Sequence, residues 1–132
     1  MANDNKGLSM HLPGVFRAKK KDGSLYYRAS VTYRNKHISL GSFAWEETAH
    51  QAYQEAGEII KNSVLTFQAY REDMVLPFEK WVCLMNFRDN GIYIANPIYI
   101  RIRYFEYYLT RDTVLKFDLD DLFYYSSHKI MR

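Results

Sequence analysis

Leu25-Tyr26-Tyr27-Arg28-Ala29-Ser30-Val31-Thr32-Tyr33-Arg34 is the stretch that decides the fold. Tyr27, Ala29, Val31 and Tyr33 alternate with Arg28, Ser30, Thr32 and Arg34. A strand sends successive side chains to opposite faces, so the first set is expected against a core and the second toward solvent. Upstream, Lys20 to Ser24 contains Asp22-Gly23 and reads as a hairpin turn, which makes Val15 to Lys19 a short partner strand. Downstream, Asn35-Lys36 reads as a two-residue turn and His37 to Phe43 as a third strand, with Ile38 and Leu40 inward and His37 and Ser39 outward. Gly41 is expected to let the backbone bend sharply before the next element.

That next element is a helix from about Trp45 or Glu46 to Ile60. Glu46 and Glu47 suit its positive N-terminus, and Ala49, Ala52, Tyr53, Ala56 and Ile60 recur at three-and-four spacing. The small alanines allow close approach to a sheet. One helix covers one sheet face and leaves the other open, and the open face is expected to carry Arg28, Ser30, Thr32, Arg34, His37 and Ser39.

Charge is distributed unevenly along the chain. Between Gly14 and Ala44, the cations Arg17, Lys19, Lys20, Lys21, Arg28, Arg34 and Lys36 meet a single acid, Asp22, whereas from Ser63 onward nine basic and nine acidic residues cancel. A basic half joined to a neutral half is the footprint of a module that binds a polyanion beside something else. A solvated turn accounts for Lys19 to Lys21 but not for the arginines of the strand.

Gly14-Val15, then Tyr27-Arg28-Ala29-Ser30-Val31, then Ile38-Ser39-Leu40-Gly41-Ser42-Phe43, then Glu46-Glu47-Thr48-Ala49 and Ala52-Tyr53 with Ala56 resemble, in order and spacing, the Apetala-type or ethylene-response-factor-type DNA-binding domain. Such domains occur in plant transcription factors and in HNH homing endonucleases of phages and mobile elements. The resemblance implies a three-stranded sheet that enters the major groove of double-stranded DNA, which holds a two-stranded ribbon as well as a helix. Carried over by position, Arg28, Ser30 and Thr32 lie on the reading strand, His37 and Ser39 on the third strand, and Ser42 at a phosphate contact. Lys19, Lys20, Lys21, Arg34 and Lys36 are expected to neutralise phosphates. Phe16 stands where plant members place an arginine, and Ser39 where they place a tryptophan, so the plant target site does not transfer.

The expected organisation is α+β: a lead-in without periodicity at 1–13, the sheet-and-helix domain at 14–62, and a small α+β unit at 63–132. In the last, Pro77 followed by Phe78, Trp81, Val82 and Met85 predicts a helix that Asp89-Asn90-Gly91 ends. Ile98, Ile100 and Ile102 alternate with Tyr99, Arg101 and Arg103, which predicts a strand; Thr113 to Phe117 is expected to pair with it and Asp120 to His128 to form a short helix. The tail from Val114 also resembles the segment that precedes the nuclease part of phage HNH proteins. Only four residues follow His128, so the histidine, metal ligands and asparagine of that nuclease are expected to be missing.

No catalytic, metal or cofactor site is expected. His11, His37, His50 and His128 lack metal-binding spacing, Asp118, Asp120 and Asp121 read as a solvated helix start, and no phosphate-loop or nucleophile motif is present. The lone Cys83 suits a reducing cytoplasm, and no stretch reads as a signal peptide or membrane span. Two functions are carried forward. One is a DNA-binding protein of a phage or mobile element. The other is a phage-encoded inhibitor of a host nuclease, such as an anti-CRISPR acting on a CRISPR effector, with Tyr99, Arg101, Arg103, Tyr104, Tyr107 and Tyr108 as a possible protein interface. For these tyrosines, cross-strand aromatic packing is the competing explanation.

Overall fold

The computed structural model describes residues 12–122. The lead-in up to residue 11 and most of the helix expected at Asp120 to His128 lie outside the described residues, as do His11, His128, Tyr124 and Tyr125. The fold is α+β, with two compact units: Met1–Asn62 together with Arg71–Leu76, and Ser63–Tyr70 together with Pro77–Arg132. The short stretch Arg71–Leu76 thus groups with the unit that precedes it in sequence rather than with its chain neighbours.

In the first unit, β1 (Val15–Lys19), β2 (Leu25–Tyr33) and β3 (Lys36–Phe43) form an antiparallel sheet in that order, followed by α1 (Glu46–Lys61). The β1–β2 turn closes on Asp22, whose carboxylate accepts from the Ser24 amide at 2.9 Å and the Ser24 hydroxyl at 2.7 Å. Those Ser24 hydrogen bonds hold the Asp22 carboxyl below its ordinary range. The second turn differs from the expected one. Arg34 and Asn35, at φ 51° and 65°, are the turn residues, and Tyr33 pairs with Lys36. Both central residues in the left-handed region make the turn type whose twist matches the flanking strands. Arg34 therefore leaves the strand face it was expected to share with Arg28.

The side of the sheet that packs on α1 is built from Val15, Ala29, Val31, Ile38 and Leu40, all buried. From the helix, Ala49, Ala52, Ala56 and Ile59 are buried, so Ile59 rather than Ile60 completes the apolar stripe. Alanines let the helix lie close, while each fully buried Ile or Leu stabilises by about 1.5–3 kcal/mol relative to exposure. Gly14, at φ +78°, passes directly under Tyr53: a Cβ there would stand 2.0 Å from the ring. His50 stacks on Tyr53 with centroids 5.9 Å apart and donates through Nδ1 to the Pro13 carbonyl at 2.9 Å. One buried carboxylate belongs to this unit. Glu55 accepts from the Leu76 amide at 2.7 Å, the Val75 amide at 3.2 Å and the Gln51 amide group at 3.0 Å. It thereby satisfies backbone donors of the returning stretch that would otherwise be desolvated without partners.

In the second unit a 3-10 turn (Phe67–Ala69) precedes α2 (Phe78–Asn90), and a meander follows of β4 (Ile98–Ile100), β5 (Tyr104–Tyr108) and β6 (Val114–Asp118). Pro77 caps the start of α2, and Gly91 at φ 78° ends it in the left-handed conformation. Trp81 through Phe87 are all buried, so the middle of this helix is enclosed while its ends reach solvent at Glu79, Asp89 and Asn90. Asn86 is fully buried and pins the helix to β4: its Oδ1 accepts from the Ile100 amide at 2.9 Å and its Nδ2 donates to the Ile92 carbonyl at 3.1 Å. Burial pushes the Cys83 thiol up to about 11, and the thiol donates to the Asn96 carbonyl at 3.2 Å.

Two expectations fail here. The strand ends at Ile100, because the Arg101 amide turns back to the Tyr104 carbonyl at 2.8 Å, which leaves Ile102 at the tip and 90% exposed. The segment Val114–Asp118 pairs not with that strand but with Tyr104–Tyr108, which lies between them. Alternation in Tyr104-Phe105-Glu106-Tyr107-Tyr108 is hidden by aromatics on both faces, so the middle strand carries no hydropathy signal.

Candidate nucleic-acid interface

β2 is the central strand, and its register decides which side chains meet on the face opposite α1. Directly opposed residues of an antiparallel pair share a face. Phe16, Arg28 and Ser42 form one such row across all three strands, and Thr32 with His37 another across β2 and β3. Thr32 Oγ1 and His37 Nδ1 share a hydrogen bond at 3.4 Å, which ties the two exposed side chains together. Between the rows the register shifts: Ala29 opposes Gly41 and Ser30 opposes Ser39, so Leu40 is the extra residue of a bulge. Gly41 adopts φ +126° there. The bulge is what allows Leu40 to stay in the core while Ser39 and Ser42, three positions apart, both remain exposed on the open side. Gly41 accordingly serves the bulge rather than a bend ahead of the helix.

Arg28, Thr32, His37, Ser39 and Ser42 are exposed, as expected of groups that would reach a duplex. Ser30 is not. It keeps step with Arg28 and Thr32 but is only 8% exposed, a short side chain on the central strand whose amide is taken up by the Gly14 carbonyl at 3.0 Å. It is therefore withdrawn as a direct contact. Lys19 falls in register with Leu25, and Lys20 and Lys21 occupy the turn beyond it; all three are exposed. With Tyr26, Ser42 and Phe43 they border an open depression of about 490 Å³, which runs from the lysine cluster to Ser42. Arg34 and Lys36 lie at the other hairpin, the Arg34 guanidinium 4.8 Å from the centroid of the Tyr33 ring.

The cations thus sit at the two ends of β2, with Arg28 between them. Nine residues of strand separate the two turns by roughly 26 Å at the usual rise of about 3.3 Å per residue. Two exposed aromatic side chains of this unit lie outside the expected contacts, Phe16 on the open face and Trp45 at the start of α1. Phe16 is 52% exposed and Trp45, at the residue that caps α1, is 69% exposed. Phe16 was legible in principle, since Val15 inward forces its successor outward.

The six residues expected to form a protein interface do not share a surface. In the register of the second sheet, Tyr99, Tyr104 and Tyr108 lie on one face and Tyr107 on the other. The ring of Tyr108 packs on Phe67 and Phe78 at 5.1 and 5.6 Å, and that of Tyr99 on Phe67 at 5.2 Å. Tyr108 is only 8% exposed, which removes it from any docking face. Its hydroxyl and the Arg101 Nε both donate to Glu106 Oε1, at 3.0 and 2.9 Å. Tyr99 donates to Asp89 Oδ2 at 2.5 Å, and Arg88 donates to the other oxygen of that carboxylate at 2.8 Å. Burial and these carboxylate partners push Tyr99 and Tyr108 each up to about 12. Cross-strand and helix packing claims these two side chains; Arg103 is exposed, and Tyr104 and Tyr107 are half-buried. The opposite face is apolar. Ile98, Phe105, Tyr107, Leu115 and Phe117 line a groove of about 530 Å³.

Among the described residues no cluster of three or more His, Cys, Asp or Glu side chains is placed to hold a metal ion, and no helix is long and apolar enough to cross a membrane. No family model matches the chain, and no curated protein and no solved structure matches it.

Proposed function

We propose that the protein is a non-enzymatic DNA-binding protein that lays the open face of its three-stranded sheet in the major groove of a duplex. The observation that carries this reading is the arrangement around β2: a row of Phe16, Arg28 and Ser42 and a row of Thr32 and His37 on the side away from α1, with cationic turns at both ends. Arginine is the commonest specific reader of guanine, through its O6 and N7, and Arg28 is the one arginine of the central strand that remains on this face. Hydroxyl and imidazole groups beside it supply shorter polar contacts, while Lys19, Lys20, Lys21, Arg34 and Lys36 neutralise phosphates on either side of the groove. The resemblance to Apetala-type domains points the same way and suggests a phage or mobile element as source and the bacterial cytoplasm as its place of action. Fluorescence anisotropy with a duplex library tests the reading. Wild-type protein is expected to bind, and Arg28→Glu to weaken binding by tenfold or more through loss of a bidentate contact and addition of repulsion. Absence of duplex binding by the folded wild-type chain would sink it.

A second reading, a protein inhibitor of a guided nuclease, is favoured by one observation, the exposure of Leu109, Leu115 and Phe117 beside the apolar groove of the second unit. Inhibition of guided cleavage that survives Arg28→Glu would move the assignment there.

A further inference from the structure

We propose that Phe16 is a specificity-determining contact that recognises the C5-methyl group of a pyrimidine in the major groove, next to the base pair read by Arg28. The inference rests on the DNA-reading assignment and goes beyond it by naming a base feature. β1 is an edge strand, and Phe16 stands on it in direct register with Arg28, itself in register with Ser42. The ring is 52% exposed on a face that carries Arg28, Thr32, His37 and Ser42 as well as Ala18 and Tyr26, and among the described residues it belongs to no ring pair. A phenylalanine has neither donor nor acceptor, so the hydrogen-bonding edges of bases are closed to it. The one apolar feature that a major-groove edge presents is the C5-methyl of thymine, and 5-methylcytosine carries the same group at the same position. Placing the ring there removes both apolar surfaces from water, whereas against any other base the ring desolvates polar edges without replacing their hydrogen bonds. The row then reads as a composite: guanidinium for guanine, ring for the methyl of a neighbouring pyrimidine, hydroxyl of Ser42 beyond.

The full-length chain is used to select bound duplexes from a random library. Each thymine of the selected site is then replaced in turn by deoxyuridine, which deletes the methyl and leaves every hydrogen-bonding group in place. In parallel, cytosines are replaced by 5-methylcytosine. For the wild-type protein one thymine-to-uracil change is expected to weaken binding about fourfold, the equilibrium equivalent of burying one methyl group. If the position is a cytosine, methylation strengthens binding by the same factor. Phe16→Ala, which removes an exposed ring and leaves the core intact, is expected to bind both members of that pair equally. Duplex binding in which no methyl matters overturns the proposal while sparing the DNA-reading assignment, as does discrimination that persists in Phe16→Ala. Failure to bind any duplex removes both.

Discussion

Gly14 meets two constraints at once, a backbone at φ +78° and a Tyr53 ring where a Cβ would have to go. Gly23, at φ +93°, meets only the first, because nothing lies within 4 Å of the position a Cβ would take. The pair separates backbone strain from steric exclusion. Gly23→Ala is expected to cost about 1–2 kcal/mol, the penalty of a left-handed non-glycine residue. Gly14→Ala is expected to cost at least about 2 kcal/mol more, since the displaced ring also stacks on His50. Urea unfolding of the two variants measures the difference, and equal midpoints would refute the role of Tyr53. The sequence marks both glycines but says nothing of what stands above them, because Tyr53 is thirty-nine positions beyond Gly14.

At the scale of elements, α2 and β4 are joined by a polar side chain in an apolar setting. Asn86 is enclosed and answers the Ile100 amide and the Ile92 carbonyl at once. Asn86→Leu keeps the branched heavy-atom skeleton, abandons both groups and adds bulk in an enclosed site, so a loss of about 2–4 kcal/mol is expected, with faster hydrogen exchange at the Ile100 amide as its local mark. The hydroxyls of β4 and β5 predict a pH response. Tyr99 and Tyr108 ionise at an ordinary 10.0 when unfolded and at about 12 when folded. Between those values the unfolded chain has released protons that the folded chain retains, so stability present below pH 10 falls as pH rises toward 12. The variant carrying both Tyr99→Phe and Tyr108→Phe is expected to flatten that decline in chemical-denaturation midpoints taken across the window. At acid pH the sign reverses for Asp89. Burial opposes its ionisation, but hydrogen bonds from Arg88 and Tyr99 prevail and hold its carboxyl below the ordinary range, so its contribution disappears as pH drops through that depressed value.

For the whole molecule, net charge understates the electrostatics, because Lys19, Lys20, Lys21, Arg34 and Lys36 gather at the two ends of one strand with Arg28 between them. If roughly four to six of them meet phosphates, the logarithm of the binding constant should fall against the logarithm of salt concentration with a slope of about −4 to −5. Replacing Lys20 and Lys21 by alanine should make that slope shallower by about 2 while leaving the sequence preference unaltered, since phosphate contacts carry no base information. Arg28→Glu should alter the preference as well. Titrations at several salt concentrations separate the two behaviours.

Strand alternation, the Asp22-Gly23 hairpin, the alanine-rich helix and the Pro77-to-Gly91 helix are all local in origin, and residue order alone determined them, together with the uneven spread of charge. Short-range sterics and side-chain periodicity suffice for such features. Tertiary structure decided what depends on a partner strand or on neighbours distant in the chain. The bulge at Leu40 rephased β3, the Arg34-Asn35 turn took one arginine off the open face, and Ser30 was left only 8% exposed. In the second unit, the tyrosines that alternation left ambiguous were divided between a packed face and an apolar groove by pairing with β4 and β6. A side chain's direction follows from its own strand, but its exposure follows from what other segments set beside it, and only the folded chain brings those segments together.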